Sequence, residues 1–101
     1  MNSEKIARHF ELTDKVILVT GGSRGLGFEM CRAFAEAGAT VVISSRKQEA
    51  CERAAQLIAG ETGGTCLPLA CHVGDWDACD ALVEAVYEKY GRIDVLVNNA
   101  G

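Results

Sequence analysis

Thr20-Gly21-Gly22-Ser23-Arg24-Gly25-Leu26-Gly27 is the stretch whose residue types and spacing could do chemistry. It follows the apolar run Val16-Ile17-Leu18-Val19, and an amphipathic stretch begins at Leu26. That order predicts a buried strand, a tight backbone turn and then a helix start. A helix N-terminus presents unpaired N–H groups and the positive end of its dipole. Glycines let the main chain approach an anion closely, so the turn reads as a seat for a phosphate. The spacing is not G-x-G-x-x-G, because glycines stand at 21, 22, 25 and 27 and Met30 occupies the place of the third. The pattern is Thr-Gly-x-x-x-Gly-x-Gly. Its plain alternative is a glycine-rich connection with no ligand, which the position between a buried strand and a helix disfavours.

The elements that must position this turn follow in alternation. Residues 15–20 are apolar on consecutive positions, which predicts a strand covered on both faces. Residues 26–37 predict a helix with Met30 and Phe34 four apart beside Cys31 and Ala35, capped at Gly38. A second strand over 40–45 leads to a second helix over 47–60, with Ala50, Ala54, Leu57 and Ile58 on one face. Residues 61–64 turn, and 65–70 form a third strand, which Pro68 confines to a sheet edge. Asp75 is the expected N-cap of a third helix, whose inward face is Cys79, Leu82, Val83, Val86 and Tyr90. Gly91 closes that helix, and 93–97 form a fourth apolar strand that ends in Asn98-Asn99-Ala100-Gly101. Residues 1–14 form a polar arm in which Ile6 and Phe10 could dock one helical turn.

The alternation of strand and helix demands a parallel sheet with right-handed crossovers. The expected architecture is α/β, a doubly wound sheet of strand order 3-2-1-4. Helices one and two then cover one face and helix three the other. Ligands bind outside the carboxyl ends of the strands where the winding reverses, between strands one and four. The glycine turn and the Asn-Asn-Ala-Gly segment should meet there.

Composition narrows the partners. With 101 residues the chain holds one domain at most, residues 15–101 after the arm. Ten Lys and Arg against 14 Asp and Glu give a formal charge of −4, without the basic face that nucleic acid or an anionic membrane needs. No apolar stretch approaches the length of a membrane span. The first residues carry charges throughout and lack the apolar core of a secretory signal. The five cysteines are odd in number and contain no C-x-x-C, which points to a reducing, cytoplasmic compartment. Cys66, Cys71, His72 and Cys79 match no zinc spacing, so no metal is expected and the thiols are expected to pack as small hydrophobes.

TGGSRGLG at residues 20–27 together with NNAG at 98–101 resembles the two cofactor-side signatures of the short-chain dehydrogenase/reductase family. The resemblance covers the chain from about Phe10 onward. It implies a Rossmann-type fold and hydride transfer between NAD(P)(H) and an alcohol or carbonyl substrate. Carried over by position, Gly21, Ser23, Arg24, Gly25, Leu26 and Gly27 match the pyrophosphate and ribose turn. Asn99, Ala100 and Gly101 match the segment beside the cofactor ribose, and Asn98 is expected to tie strand ends together. His72-Val73 falls where the family usually has Asp-Val against the adenine amino group. There the chain departs from the pattern, and His72 either contacts adenine or is a solvated imidazole.

The end of strand two separates NADP from NAD. An NAD site places a carboxylate about twenty residues beyond the glycines, to accept from the ribose 2′-hydroxyl. This chain has no acid between Glu36 and Glu49 and instead reads Ser44-Ser45-Arg46-Lys47. A guanidinium binds a 2′-phosphate through charge-assisted hydrogen bonds, whereas an acid would repel it. Ser45, Arg46 and, from the other side, Arg24 are therefore the expected 2′-phosphate ligands, and NADP is favoured over NAD. The alternative for both arginines is a solvated surface.

The family draws its catalytic Ser and Tyr-x-x-x-Lys from residues after the NNAG segment. Here Tyr87 is followed by Gly91 and Tyr90 by Asp94, so no catalytic residue is assigned. The expectation is the cofactor-binding portion of a longer, homo-oligomeric reductase, inactive by itself and prone to associate through the bare edge of strand four. A non-catalytic nucleotide-binding regulator or scaffold on the same fold is the alternative. A mononucleotide domain of another kind is disfavoured, because no Walker lysine follows the glycines.

Overall fold

The computed structural model describes residues 12–72 and 74–99. The arm with Ile6 and Phe10 lies outside them, as do Val73, Ala100 and Gly101. The elements run β1 (Val16–Thr20), α1 (Gly25–Glu36), β2 (Thr40–Ser44), α2 (Gln48–Thr62), β3 (Thr65–Pro68), α3 (Trp76–Tyr90) and β4 (Val95–Asn98). The strands form one parallel sheet of order β3-β2-β1-β4. The register aligns Thr20 with Ser44 on one side and with Asn98 on the other, so three strand ends finish level.

Successive side chains of a strand point to opposite faces, and β1 and β2 bury both. Ile17, Val19, Val41 and Ile43 pack under Cys31 and Ala35 of α1 and under Ala54, Ala55 and Ile58 of α2. Val16, Leu18 and Val42 face the other way, against Leu82 and Val86 of α3 and against Cys71. Helices one and two thus share a face and helix three covers the opposite one. The sheet is the Rossmann-type arrangement expected of the alternation.

The inward stripes are rotated from those expected. Leu57 is 57% exposed, and Cys51 and Ala55 take the inward places on α2. Cys51, Ala54, Ala55 and Ile58 stand at i, i+3, i+4 and i+7, a single stripe toward the sheet that leaves position 57 outside it. On α1 the fully buried positions are Gly27, Cys31 and Ala35, with Phe34 at the margin of the core. On α3, Val83 is 37% exposed, while Cys79 and Tyr90 pack at the edge.

Helix ends follow local chemistry. Gly38 N–H donates to Ala35 O and Ala39 N–H to Phe34 O, the paired bonds of a Schellman stop. Asp75 caps α3, its Oδ1 accepting from the N–H of Asp77 at 3.0 Å and of Ala78 at 3.2 Å. Neither Arg24 nor Lys47 supplies a capping side chain to α1 or α2. Those two starts therefore keep backbone donors available for an acceptor from outside the helix. Pro68 ends β3 on the sheet edge as its missing N–H requires. Backbone bonds from Leu69 to Ile43 O and from Cys71 to Ser45 O nevertheless carry the segment alongside β2. Gln48 pins it by donating to Pro68 O at 3.1 Å and accepting from Ala70 N–H at 2.8 Å.

Candidate functional site

The glycine turn and the end of β4 are joined through one hydroxyl. Thr20 Oγ1 donates toward Asn98 Oδ1 at 3.0 Å and Val97 O at 3.3 Å, and it accepts from Asn99 N–H at 3.2 Å. Asn99 Nδ2 donates to Gly21 O at 3.2 Å, closing a second link. Gly22 N–H donates to Ser44 O at 3.0 Å, which fastens the other side of the turn to β2. Expected to tie the strand ends, Asn98 does so, and Asn99 shares the task.

The close approach accounts for two of the glycines. Gly21 has φ +65°, and a Cβ there would overlap the Asn99 carbonyl. A Cβ on Gly27 would overlap Gly21 O and stand 2.6 Å from Asn99 Nδ2. Gly27 is therefore the floor on which the turn rests and does not line the cleft above it.

Above the strand ends lies a cleft of about 990 Å³. Gly21, Ser23, Arg24, Gly25 and Leu26 form one wall, and Ser44, Ser45, Arg46 and Lys47 form another. Ala50 and Arg53 extend the second wall along α2, and Cys71, His72, Thr20 and Asn99 complete the lining. Arg24, Arg46, Lys47 and Arg53 bring four cations to this cleft, and no carboxylate lines it among the described residues. In a chain of net charge −4, that is a local reversal of sign that concentrates anions.

Ser44 adds a second sign of a ligand. It is 1% exposed, and among the described residues its Oγ has no hydrogen-bond partner. A buried hydroxyl without a partner costs about 1–3 kcal/mol. Next to it, Ser45 Oγ lies 3.4 Å from Lys47 O and 3.1 Å from Cys51 Sγ.

Sequence spacing thus brought Gly21, Ser23, Arg24, Gly25, Leu26, Ser45, Arg46, His72 and Asn99 to one cleft. Val73, Ala100 and Gly101 lie outside the described residues. Sequence reasoning missed Thr20, Ser44, Lys47, Ala50 and Arg53. A signal for the last existed: Ala50 and Arg53 stand three apart on one face of α2, just beyond the basic pair Arg46-Lys47. At the far end, Cys71 S–H donates to Cys79 Sγ at 3.6 Å. Burial, followed by that bond and the charges of Cys79 and Asp75, pushes the Cys71 thiol up to about 11. No three metal-ligating side chains converge among the described residues.

Residues 15–101 match the family model described as short chain dehydrogenase. Fatty acyl-CoA reductase Rv0547c of Mycobacterium tuberculosis is 43% identical over 91 residues, 90% of this chain and 31% of that protein. The Pseudomonas aeruginosa RhlG/NADP active-site complex superposes with a TM-score of 0.84 at 38% identity, covering 92% of this chain and 37% of that one. A metagenomic short-chain oxidoreductase in complex with NADP gives 0.85 at 39% identity, covering 89% and 40%. The chain therefore spans about a third of the length of the relatives it matches. With the glycine turn locked to the Asn98-Asn99 strand end, and the family match running over both, the chain belongs to the short-chain dehydrogenase/reductase family.

Proposed function

We propose that this cleft binds NADP(H) and that the protein carrying it moves a hydride between NADP(H) and an alcohol or carbonyl substrate. The observation that carries the reading is the cleft wall itself, with Arg24, Arg46, Lys47 and Arg53 and, among the described residues, no acid. An NAD site would place a carboxylate at the end of β2, where this chain has Ser44, Ser45 and Arg46. The residues present suit a dinucleotide at several independent points. Gly21 leaves no room for a side chain at the turn, α1 starts without a capping side chain, and Ser44 Oγ lacks a partner.

In this reading the pyrophosphate is held by the start of α1 and by N–H groups of the 21–25 turn other than that of Gly22, which bonds to Ser44 O. Arg24, Ser45 and Arg46 hold the 2′-phosphate, with Lys47 and Arg53 adding charge beside it. His72 and Val73 meet the adenine, and Asn99, Ala100 and Gly101 run along the ribose. When bound, the cofactor supplies or accepts the hydride. The work of this chain is to bind and orient. Proton transfer belongs to the Ser and Tyr-x-x-x-Lys that the family places after Asn98–Gly101, and no such residues occur within it. The NADP complexes among the structural neighbours support the cofactor choice. A reductase among the relatives favours an enzyme over a scaffold. The five cysteines, all present as thiols, suit a reducing cytoplasm, and the family's habit is homo-oligomeric.

The test exchanges the sign of the wall. Arg46→Asp is expected to weaken NADPH by roughly thirtyfold, about 2 kcal/mol for a charge-assisted contact, while NADH binding holds or improves. An unchanged ratio of the two affinities would count against the reading.

A further inference from the structure

We infer that Cys71 and Cys79 are a modification site, an oxidisable dithiol that forms an intrachain disulfide at the rim of the cleft. Their sulfurs stand 3.6 Å apart, and a disulfide bond is about 2.05 Å long, so the two sulfurs must close by about 1.5 Å to join. Cys71 is 6% exposed and lines the cleft, and Cys79 is the more exposed partner, in the first turn of α3. The other buried thiols, Cys31 and Cys51, belong to the opposite side of the sheet, under α1 and α2. The pairing is therefore selective, and Cys66 is the neighbour in sequence against which selectivity is judged.

The oxidant is a peroxide. Cys79 meets it first, and its sulfur takes one oxygen as the O–O bond breaks, giving a sulfenic acid and one water. Cys71 sulfur then attacks that sulfur, the S–O bond breaks, and hydroxide leaves with the Cys71 proton as a second water. Two thiols and one peroxide become one disulfide and two waters. Burial keeps the Cys71 thiol protonated near neutral pH, which makes solvent oxidants slow to attack it directly and makes its attack on the Cys79 sulfenic sulfur the slower step, one that speeds up as pH rises. The bond ties the segment carrying His72 to α3. The consequence for cofactor rests on the dinucleotide reading: an occupant of the cleft covers Cys71 and slows the cross-link.

The experiment treats the full chain with a small excess of hydrogen peroxide, with and without NADPH, then alkylates, and digests with trypsin plus Asp-N. Asp75 and Asp77 separate Cys71, in the peptide 54–74, from Cys79, in 77–79. The expected product is those two peptides joined, two hydrogens lighter than their sum, released by dithiothreitol and still formed in Cys66→Ser. Separate alkylation of Cys71 and Cys79 after peroxide, or a cross-link that disappears in Cys66→Ser, would overturn the proposal. A cross-link that forms equally fast with saturating NADPH upholds the dithiol and counts against the dinucleotide reading instead.

Discussion

Thr20 Oγ1 is the smallest group on which the cleft depends. A single hydroxyl donates across to β4 and accepts from Asn99 N–H, and it sits 8% exposed, where water cannot replace it freely. Thr20→Val keeps the shape and removes the polar atom, leaving Asn99 N–H unpaired. The expected cost is about 1–2 kcal/mol, a fall in Tm of roughly 5 °C by calorimetry. An unchanged Tm would show that the hydroxyl is dispensable to the junction. The identity of Thr20 was in plain view in the glycine motif, yet its role was not legible. The partner strand lies 77 or more residues away in sequence, and only the level ends of β1 and β4 bring them together. Arg53 was missed for a different reason. An arginine on an exposed helix reads as solvated surface until the place of its helix beside a basic strand end is known.

Among the elements, strand order and the two-sided burial of β1 were readable because periodicity and alternation carry them. The Asp75 cap and the edge position of Pro68 were readable because each follows from a missing or supplied hydrogen bond. The buried stripe of α2 was not. Pattern reading gave Leu57 an inward place, whereas the stripe that meets the sheet runs through Cys51, Ala54, Ala55 and Ile58. The lower end of the β1–β4 pair offers an electrostatic test. Arg92 bonds to Asp94 Oδ1 at 3.2 and 2.6 Å, and Val16 N–H donates to Oδ2 at 2.8 Å. The Arg92 guanidinium first, then that N–H, hold the Asp94 carboxyl below its ordinary 3.8. A depressed folded-state value means stability that is complete above 3.8 and lost as pH falls through the folded value. Asp94→Asn should therefore be less stable than wild type at neutral pH, with the gap closing as pH falls below 3.8. A gap of constant size across that range would remove the linkage from the account.

At the scale of the molecule, two surfaces stand out against an acidic chain. One is the basic cleft. The other is the flank of β4, where Val95 is 44% and Leu96 59% exposed, beside an α3 that also exposes Trp76 and Tyr87. Among the described residues the outer edge of β4 has no partner strand, and an apolar strand with such an edge is an association hazard. The 101-residue chain should scatter light increasingly with concentration, and Leu96→Lys should reduce this several-fold. A sharp melt independent of concentration in the wild type would contradict it. The measurement closest to the central claim is a paired calorimetric titration of NADPH and NADH into the full-length protein that carries this cleft. The account predicts NADPH to bind at least tenfold tighter, about 1.4 kcal/mol or more from the added phosphate. Equal affinities, or no heat with NADPH at millimolar concentration, would contradict it.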